Sequence, residues 1–386
     1  MGKAALFILS CFLFLTGCSG VKNIQDLTYI VAIGMDYDEA EEEYVVYLQG
    51  LNFANVAKQE GAKSVDPVPI FIATGRGETL NMAVSKLYGK SEPPLYFGHV
   101  STLVLTNRLI QSKAGEILEE IGRNRSLRPT MRVFTTEEKI EDVFNLPALF
   151  NYPAVYTVLF KSKINQLAQN ELKAITMMNF LRDYYEPMGT AKIPSVKIDE
   201  GSWKANQEYP VLYLNGFSAF QHQEYKKDIP LEHAVIINWL TEKGISIDQR
   251  VEEAGKLAAA VRLGEPKMKI KYDETAEKPA FSIEVSVSAD LLEKIQKDLT
   301  LNSLKKQIEE DIKAKIESIY DEGVENKLDI LNAGEKWYRK HPKPYQKLKE
   351  NPVFYLDQES LTEVKVNVQI LHFNSYKFKR SVDGEL

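Results

Sequence analysis

A short apolar segment that ends in a cysteine constrains this chain more than any other feature. After the single positive charge at Lys3, residues 4–15 are almost entirely apolar, and small residues lead to Cys18. This order is typical of a secretory signal peptide, and Leu15, Thr16, Gly17 and Cys18 match a bacterial lipoprotein cleavage site. The run is too short for a membrane-spanning helix, which needs about 20 residues. We therefore expect residues 1–17 to be removed and Cys18 to carry a lipid anchor, the alternative being an ordinary secretory peptide with a cysteine nearby.

The two cysteines also decide what can hold the fold together. Cys11 lies in the expected signal peptide and Cys18 would be consumed by lipid, so the exported protein would have no disulfide. Buried apolar surface must then stabilise it, and 386 residues with 44% hydrophobic content suffice for two or three domains. The net charge of −6 argues against nucleic acid as a partner.

The apolar pattern predicts an α+β fold of three mixed α/β domains, each a mostly antiparallel or mixed sheet packed by helices. The expected domains are residues 18–145, 146–220 and 221–386. In the first domain, strand patterns alternate with helical ones. One predicted strand covers 27–35, with every second residue large and apolar, and one predicted helix covers 77–87.

The two later domains contain the longest helical patterns. Strictly alternating strands are expected at 281–287 and 364–370, and a helix of about 25 residues between them should pack across their sheet. Its apolar face is formed by Leu304, Ile308, Ile312, Ile316 and Ile319. In the middle domain we expect a helix over about 171–185 with Leu172, Ile175, Met178 and Leu181 facing inward.

No arrangement of residues points to catalysis. None of the five histidines forms the i, i+4 pair that places two metal ligands on one helix face. The run Gly75 to Glu78 lacks the third glycine and the lysine of a phosphate loop, and a flexible turn ahead of a helix is favoured. No Gly-x-Ser-x-Gly nucleophile elbow occurs. We expect a binding or scaffolding protein, not an enzyme, with no cofactor and no metal.

Several stretches, taken in order, resemble the Ger(x)C family, the lipoprotein C subunits of spore nutrient germinant receptors. The resemblance covers most of the chain. Its parts are the lipobox at Cys18, residues 31–36 (VAIGMD), Gly77 to Leu80 with Ala83, Phe97 to His99, residues 214–220 (LNGFSAF), residues 328–334 (LDILNAG), and Tyr338, Arg339, Lys340 and Pro342.

The resemblance implies a three-domain protein on the outer face of the spore inner membrane. It would act with an integral-membrane A subunit and a transporter-like B subunit in signalling amino acid, sugar or nucleoside germinants, and a small-molecule germinant is a possible ligand. The competing hypothesis is a solute-binding lipoprotein that delivers a nutrient to a transporter. Such proteins usually have two similar lobes, and no similarity between the halves is visible. A third hypothesis, an envelope hydrolase, lacks its catalytic motif.

One segment is the predicted partner contact. Residues 337–345 mix aromatic and basic side chains, the composition favoured at protein interfaces, and we expect them at the surface. The named contact residues are Trp337, Arg339, Lys340 and Tyr345. Charge reversal at Arg339 and Lys340 is expected to lower receptor assembly or germination rate and to leave the abundance of the protein unchanged.

Overall fold

Two β-sheets, each packed by helices, organise the part of the chain that the structure describes. The computed structural model describes residues 27–51, 69–124, 126–160, 172–253, 255–276, 278–350 and 354–372. Cys18 and the expected signal peptide lie outside these residues. The expectation of mixed sheets packed by helices is confirmed. No described helix combines the length and the apolar character needed to cross a membrane.

The first sheet has ten strands within the described residues, in the order β10-β9-β8-β6-β5-β1-β2-β3, with β4 beside β1 and β7 beside β6. Its central strands β1, β5 and β6 run parallel. The strands are β1 (Thr28–Asp38), β2 (Glu43–Leu51), β3 (Phe71–Gly77), β4 (Leu95–Tyr96), β5 (Thr102–Thr106), β6 (Arg132–Thr136), β7 (Ile175–Thr176), β8 (Thr190–Asp199), β9 (Val211–Gln221) and β10 (Glu224–Ile229).

Helices cover both faces of this sheet. They are α1 (Leu80–Tyr88), α2 (Asn107–Arg123), α3 (Ile140–Asn145) and α4 (Met177–Tyr184). Residues of α1, α2 and α4 share one core with the sheet, and α3 belongs to the core on the opposite face. Strand β1 is consequently buried on both sides from residue 29 to 36.

The middle-domain helix differs in length and in register from the prediction. Ile175 and Thr176 pair with β6, so the helix begins only at Met177, and Thr176 caps it by accepting a hydrogen bond from the Asn179 backbone at 3.3 Å. Its buried face contains Met177, Phe180 and Tyr184, and Met178 is exposed. The expected inward position of Met178 is therefore wrong, because Met177, Phe180 and Tyr184 share one face at the i, i+3, i+7 spacing and Met178 lies outside that face.

In its described residues, the second sheet has five strands, and a long helix covers it. The strands are β11 (Ile247–Glu253), β12 (Lys256–Leu263), β13 (Lys267–Tyr272), β14 (Phe281–Lys294) and β15 (Leu361–His372), and the helices are α5 (Leu231–Thr241), α6 (Leu301–Glu325), α7 (Ala333–Lys340) and α8 (Pro342–Glu350). Helix α6 is 25 residues long, and all five residues of its predicted apolar face are buried. That prediction is confirmed.

The sheets do not separate at the expected domain boundaries. The boundary at 145 falls after α3, yet β8, beyond it, pairs with β6 at Ser195 and Thr135. The boundary at 220 falls within β9, which forms an antiparallel hairpin with β10. The strands of the expected middle domain are thus part of the first sheet, and the three-domain division stays a prediction about folding units.

Candidate functional site: the polar junction between the sheets

A buried carboxylate lies where the second sheet meets the first. Asp329 precedes α7 and is only 1% exposed. Its Oδ1 accepts a hydrogen bond from the Ala333 backbone N–H at 2.9 Å, and its Oδ2 accepts one from the Gly334 N–H at 2.5 Å. The side chain therefore satisfies N–H groups in the first turn of α7, which the helix itself cannot pair.

The same carboxylate is tied to the first sheet. The Tyr355 hydroxyl lies 3.1 Å from Asp329 Oδ2 and accepts a hydrogen bond from Gln221 Nε2 at 3.3 Å. The amide oxygen of Gln221, at the end of β9, accepts from the Asp329 backbone N–H at 3.0 Å. Thr190, which begins β8, donates its backbone N–H to the side chain of Asn332 at 2.9 Å. We call Thr190, Gln221, Asp329, Asn332 and Tyr355 the polar junction.

Burial dominates the electrostatics of the polar junction. It raises the pKa of Asp329 to about 6, and the hydrogen bonds from Gly334, Ala333 and Tyr355 oppose this rise. Burial and the neighbouring Asp329 carboxylate also raise the pKa of Tyr355 well above its ordinary value. A carboxyl group that stays partly protonated near pH 6 makes the junction sensitive to mildly acidic pH.

An ion pair extends this contact to the helices. Arg339 Nη2 lies 3.2 Å from Glu186 Oε2, in the segment between α4 and β8, and 3.0 Å from Glu335 Oε1 on its own helix. Arg339 was expected to contact a partner protein. In the structure it joins the two halves of the chain through Glu186, and its side chain stays 57% exposed.

The structure places the other predicted contact residues in different environments. Trp337 is fully buried and stacks on His341 with ring centroids 5.3 Å apart, so its expected surface position is wrong. The reason is the helix period, because Ala333, Gly334 and Trp337 share the inward face of α7.

The two remaining predicted contact residues, Lys340 and Tyr345, keep part of their surface. Lys340 is exposed, with its Nζ 5.7 Å from the centre of the Tyr272 ring. Tyr345 is half-buried beside Tyr338.

A second polar joint ties β9 and β10 to the parallel strands of the first sheet. Asp228 Oδ1 accepts from Ser218 Oγ at 2.6 Å, and its Oδ2 accepts from Asn107 Nδ2 at 2.8 Å. The Tyr225 hydroxyl adds a third hydrogen bond at 2.9 Å, and Ser218 also lies 2.9 Å from Thr135. The Asp228 joint, like the polar junction, connects segments that are far apart in sequence.

The glycine-rich run at Gly75 has a packing role. Gly75 and Gly77 end β3, and a Cβ on Gly75 would lie 2.2 Å from the carbonyl oxygen of Ala83 in α1. The helix thus approaches the strand as closely as a glycine permits. The sequence favoured a flexible turn at Gly75 to Glu78, whereas in the structure Gly75 to Gly77 belong to β3 and pack closely against α1. Thr79 caps α1 by accepting a hydrogen bond from the Met82 N–H at 3.2 Å.

Among the described residues, no group of three or more His, Cys, Asp and Glu side chains is arranged to hold a metal ion. His99, one of the five histidines, packs against the rings of Tyr29 and Tyr96.

None of the five residues of the polar junction was predicted as a site residue. Asp329 is the member of the junction that shows a recognisable pattern in the sequence, because it interrupts the apolar run Leu328 to Leu331. A charged residue in such a run is buried only when it has a partner. The partners of Asp329 could not be located from sequence, since Thr190 is 139 residues away in the chain.

Family models match both halves of the chain in order. The model described as "Spore germination protein N-terminal domain" matches residues 20–198, and the model "Spore germination B3/ GerAC like, C-terminal" matches residues 215–374. The chain belongs to the Ger(x)C family of spore germination proteins. The resemblance in the sequence is thereby confirmed.

Individual Ger(x)C relatives match over long ranges at low identity. "Spore germination protein KC" of Bacillus subtilis (strain 168) is 24% identical over 398 residues, covering 95% of this chain and 93% of that protein. "Spore germination protein GerQC" of Bacillus cereus is 23% identical and covers 85% of each chain. The crystal structure of the GerBC protein shares the fold, with a TM-score of 0.53 and 16% identity over 89% of this chain and 98% of that one.

The stretches that resemble the Ger(x)C family coincide with close contacts in the fold. In residues 31–36, Gly34 lies under α3, where a Cβ would be 2.4 Å from Ile140 Cγ2, and Asp36 is paired with Arg108. In residues 214–220, Gly216 has a φ of +100°, which favours glycine. Residues 328–334 contain Asp329 and begin α7. These motifs position chain segments against each other.

Proposed function

We propose that this Ger(x)C protein is the C subunit of a spore nutrient germinant receptor and acts without catalysis. It would be tethered by lipid on Cys18 to the outer face of the spore inner membrane and would work with integral-membrane A and B subunits. The observation that carries the proposal is the likeness to the spore germination protein KC along nearly the full length of both chains. Both family models, found in order, support the same assignment.

The arrangement of the two sheets suits a protein that holds partners in position. The polar junction and the Asp228 joint connect distant segments through buried or half-buried side chains. Buried polar groups that are mutually satisfied resist separation, because opening the contact leaves each group without its partner. A displacement imposed on one sheet would therefore be passed to the other.

A partner contact on α7 and α8 remains part of the proposal, in a reduced form. Arg339 and Lys340 are exposed and Tyr345 is half-buried, whereas Trp337 is fully buried. We therefore retain Arg339, Lys340 and Tyr345 as the residues that would meet the A or B subunit.

The structure offers no support for the solute-binding hypothesis. The two sheets differ in size and in strand order, and the residues of the polar junction between them are buried or half-buried. Solute-binding proteins instead place their ligand in a cleft between two lobes of similar architecture.

The test is deletion of the gene in its native spore-former, followed by germination assays with a panel of amino acids, sugars and nucleosides. We expect loss of the response to one nutrient class and recovery with a wild-type copy. Normal germination with every nutrient, together with a defect in uptake or growth, would contradict the proposal and favour solute binding.

A further inference from the structure

Large exposed apolar side chains gather at the end of the first sheet where β1 begins. Tyr29, the second residue of β1, pairs with Tyr96 on one side and with Leu51 on the other. The neighbouring pair, Gly50 and Phe71, begins the pairing of β2 with β3 at the same end. Both Phe71 and Tyr96 are exposed. Exposed large apolar residues that cluster are informative, because water contact gives them no stabilisation.

Three more aromatic residues extend from this end. The rings of Phe150 and Tyr152 lie 6.4 Å apart, and those of Tyr152 and Tyr156 lie 5.7 Å apart. Phe150 is 81% exposed and Tyr152 is 56% exposed. We call Phe150, Tyr152 and Tyr156 the aromatic ladder.

The neighbours of the aromatic ladder fix its place on the sheet. Val155, next to Tyr156, packs with Phe160 against Val31 and Leu51. Val31 is the fourth residue of β1, and Leu51 is the pairing partner of Tyr29. The ladder therefore starts at the end of the sheet where β1 begins.

The tip of the ladder is held in a fixed conformation. The Tyr209 hydroxyl accepts a hydrogen bond from the Asn151 N–H at 3.0 Å and lies 2.9 Å from the Ala148 carbonyl oxygen. Phe150 and Asn151 both have φ near +60°, a conformation that non-glycine residues adopt at a cost. The chain thus accepts backbone strain at the position that exposes a phenylalanine to solvent.

We propose that this end of the first sheet docks on a phospholipid bilayer, with the aromatic ladder entering the lipid–water interface. The inference rests on the lipid anchor of the proposed function. Thr28 follows Cys18 by ten positions, and at about 3.5 Å per residue this length of chain keeps β1 within about 35 Å of an anchored Cys18. Tyrosine suits the interface, where its ring is covered and its hydroxyl stays hydrated, and phenylalanine suits a deeper position.

The test measures the depth of one residue with the full-length lipidated protein in vesicles. The variant Phe150→Trp reports on the tip of the ladder. Met82→Trp is the matched control, because Met82 is also exposed and apolar but lies near the other end of β1. It is beside Gly77, which pairs with Tyr44 of β2, and Tyr44 in turn pairs with Tyr37 near the last residue of β1. An 11-residue strand puts that end about 30 Å away. Vesicles of phosphatidylglycerol and phosphatidylethanolamine carry bromine on their acyl chains, and wild-type emission is subtracted.

The expected result is a blue shift and a loss of emission from Phe150→Trp in brominated vesicles, with Met82→Trp unaffected. Emission that acrylamide in the aqueous phase quenches and brominated lipid does not, in protein that floats with the vesicles, would overturn the docking and leave the lipid anchor standing. Failure to float would overturn the anchor and the docking together. A third outcome is that Phe150→Trp is shielded from acrylamide only when the A and B subunits are added and is not quenched by brominated lipid. This outcome would assign the ladder to a protein contact and would also overturn the inference.

Discussion

At the scale of single residues, Asp329 shows how one side chain can hold two sheets together. Its carboxylate accepts from two backbone N–H groups of α7, and its backbone N–H donates to Gln221 of the first sheet. Such a group stabilises the fold through its hydrogen bonds and costs free energy through its burial, so its protonation state changes the balance.

The pH dependence of Asp329 has a definite sign. Its pKa in the folded chain is raised to about 6, against about 3.9 for an unfolded chain. Its favourable contribution is therefore fully present below about pH 4 and is lost as the pH rises through about 6. We expect the free energy of unfolding of the wild type to fall relative to that of Asp329→Asn by about 2–3 kcal/mol between pH 4 and pH 7. Urea unfolding of both proteins across this range measures it, and a constant difference would contradict the prediction.

Arg339 and Lys340 are adjacent cations with different contacts, which makes them a matched pair. Arg339→Glu places a third carboxylate beside Glu186 and Glu335, and we expect it to lower the free energy of unfolding by about 1 kcal/mol. Adding Glu186→Arg should restore part of the loss. Lys340→Glu should change stability by less than about 0.5 kcal/mol. Equal effects of the two single variants in thermal unfolding would contradict the assignment of Arg339 to the contact between the sheets.

Lys340→Glu is also the variant that tests the proposed partner contact. Because the exchange should leave the fold intact, a lower germination rate at unchanged protein abundance would locate a subunit contact at α7. A wild-type germination rate would remove Lys340 from the proposed contact.

At the scale of elements, the sequence predicts what repeats along the chain and fails where distant segments meet. Helix α6 was predicted with its length and its buried face because five large aliphatic residues keep one period. The start of α4 was not predicted, since it depends on the pairing of Ile175 with Val133 in β6. Trp337 was placed on the surface because its aromatic and basic neighbours suggest an interface, whereas the period of α7 turns it inward. The polar junction was not predicted either. Its residues come from β8, β9 and the segments around α7, which local sequence patterns do not connect.

Two glycine-to-alanine exchanges are expected to change the free energy of unfolding in opposite directions, one where α1 packs against β3 and one on the exposed face of α2. Gly75→Ala would push a Cβ against the backbone of α1, and we expect a loss of about 1–3 kcal/mol in the free energy of unfolding. In Gly115→Ala, on the exposed face of α2, nothing lies within 4 Å of the new Cβ. The exchange should stabilise the protein by up to about 1 kcal/mol, because alanine favours the helix. Thermal unfolding compares the two, and a shift in the same direction would refute the close approach at Gly75.

At the scale of the whole molecule, two differently built sheets are fastened to each other at one end of the second sheet. The two sheets and their helices lie largely within residues 20–198 and 215–374, the ranges that the Ger(x)C family models match. The proposed anchor and the aromatic ladder belong near the beginning of the first sheet, and the polar junction connects that sheet to the second. This order gives a path from a membrane surface, through the first sheet, to the proposed contact on α7 and α8.

The most direct test of the proposed tethered receptor subunit is the germination rate of spores that lack the gene and carry either a wild-type copy or Cys18→Ala. With the nutrient to which the deletion strain fails to respond, we predict that the wild-type copy restores germination and that Cys18→Ala restores it poorly, because the chain is no longer held at the membrane. Full restoration by Cys18→Ala would contradict the tether, and an unchanged response of the deletion strain to every nutrient would contradict the receptor role itself.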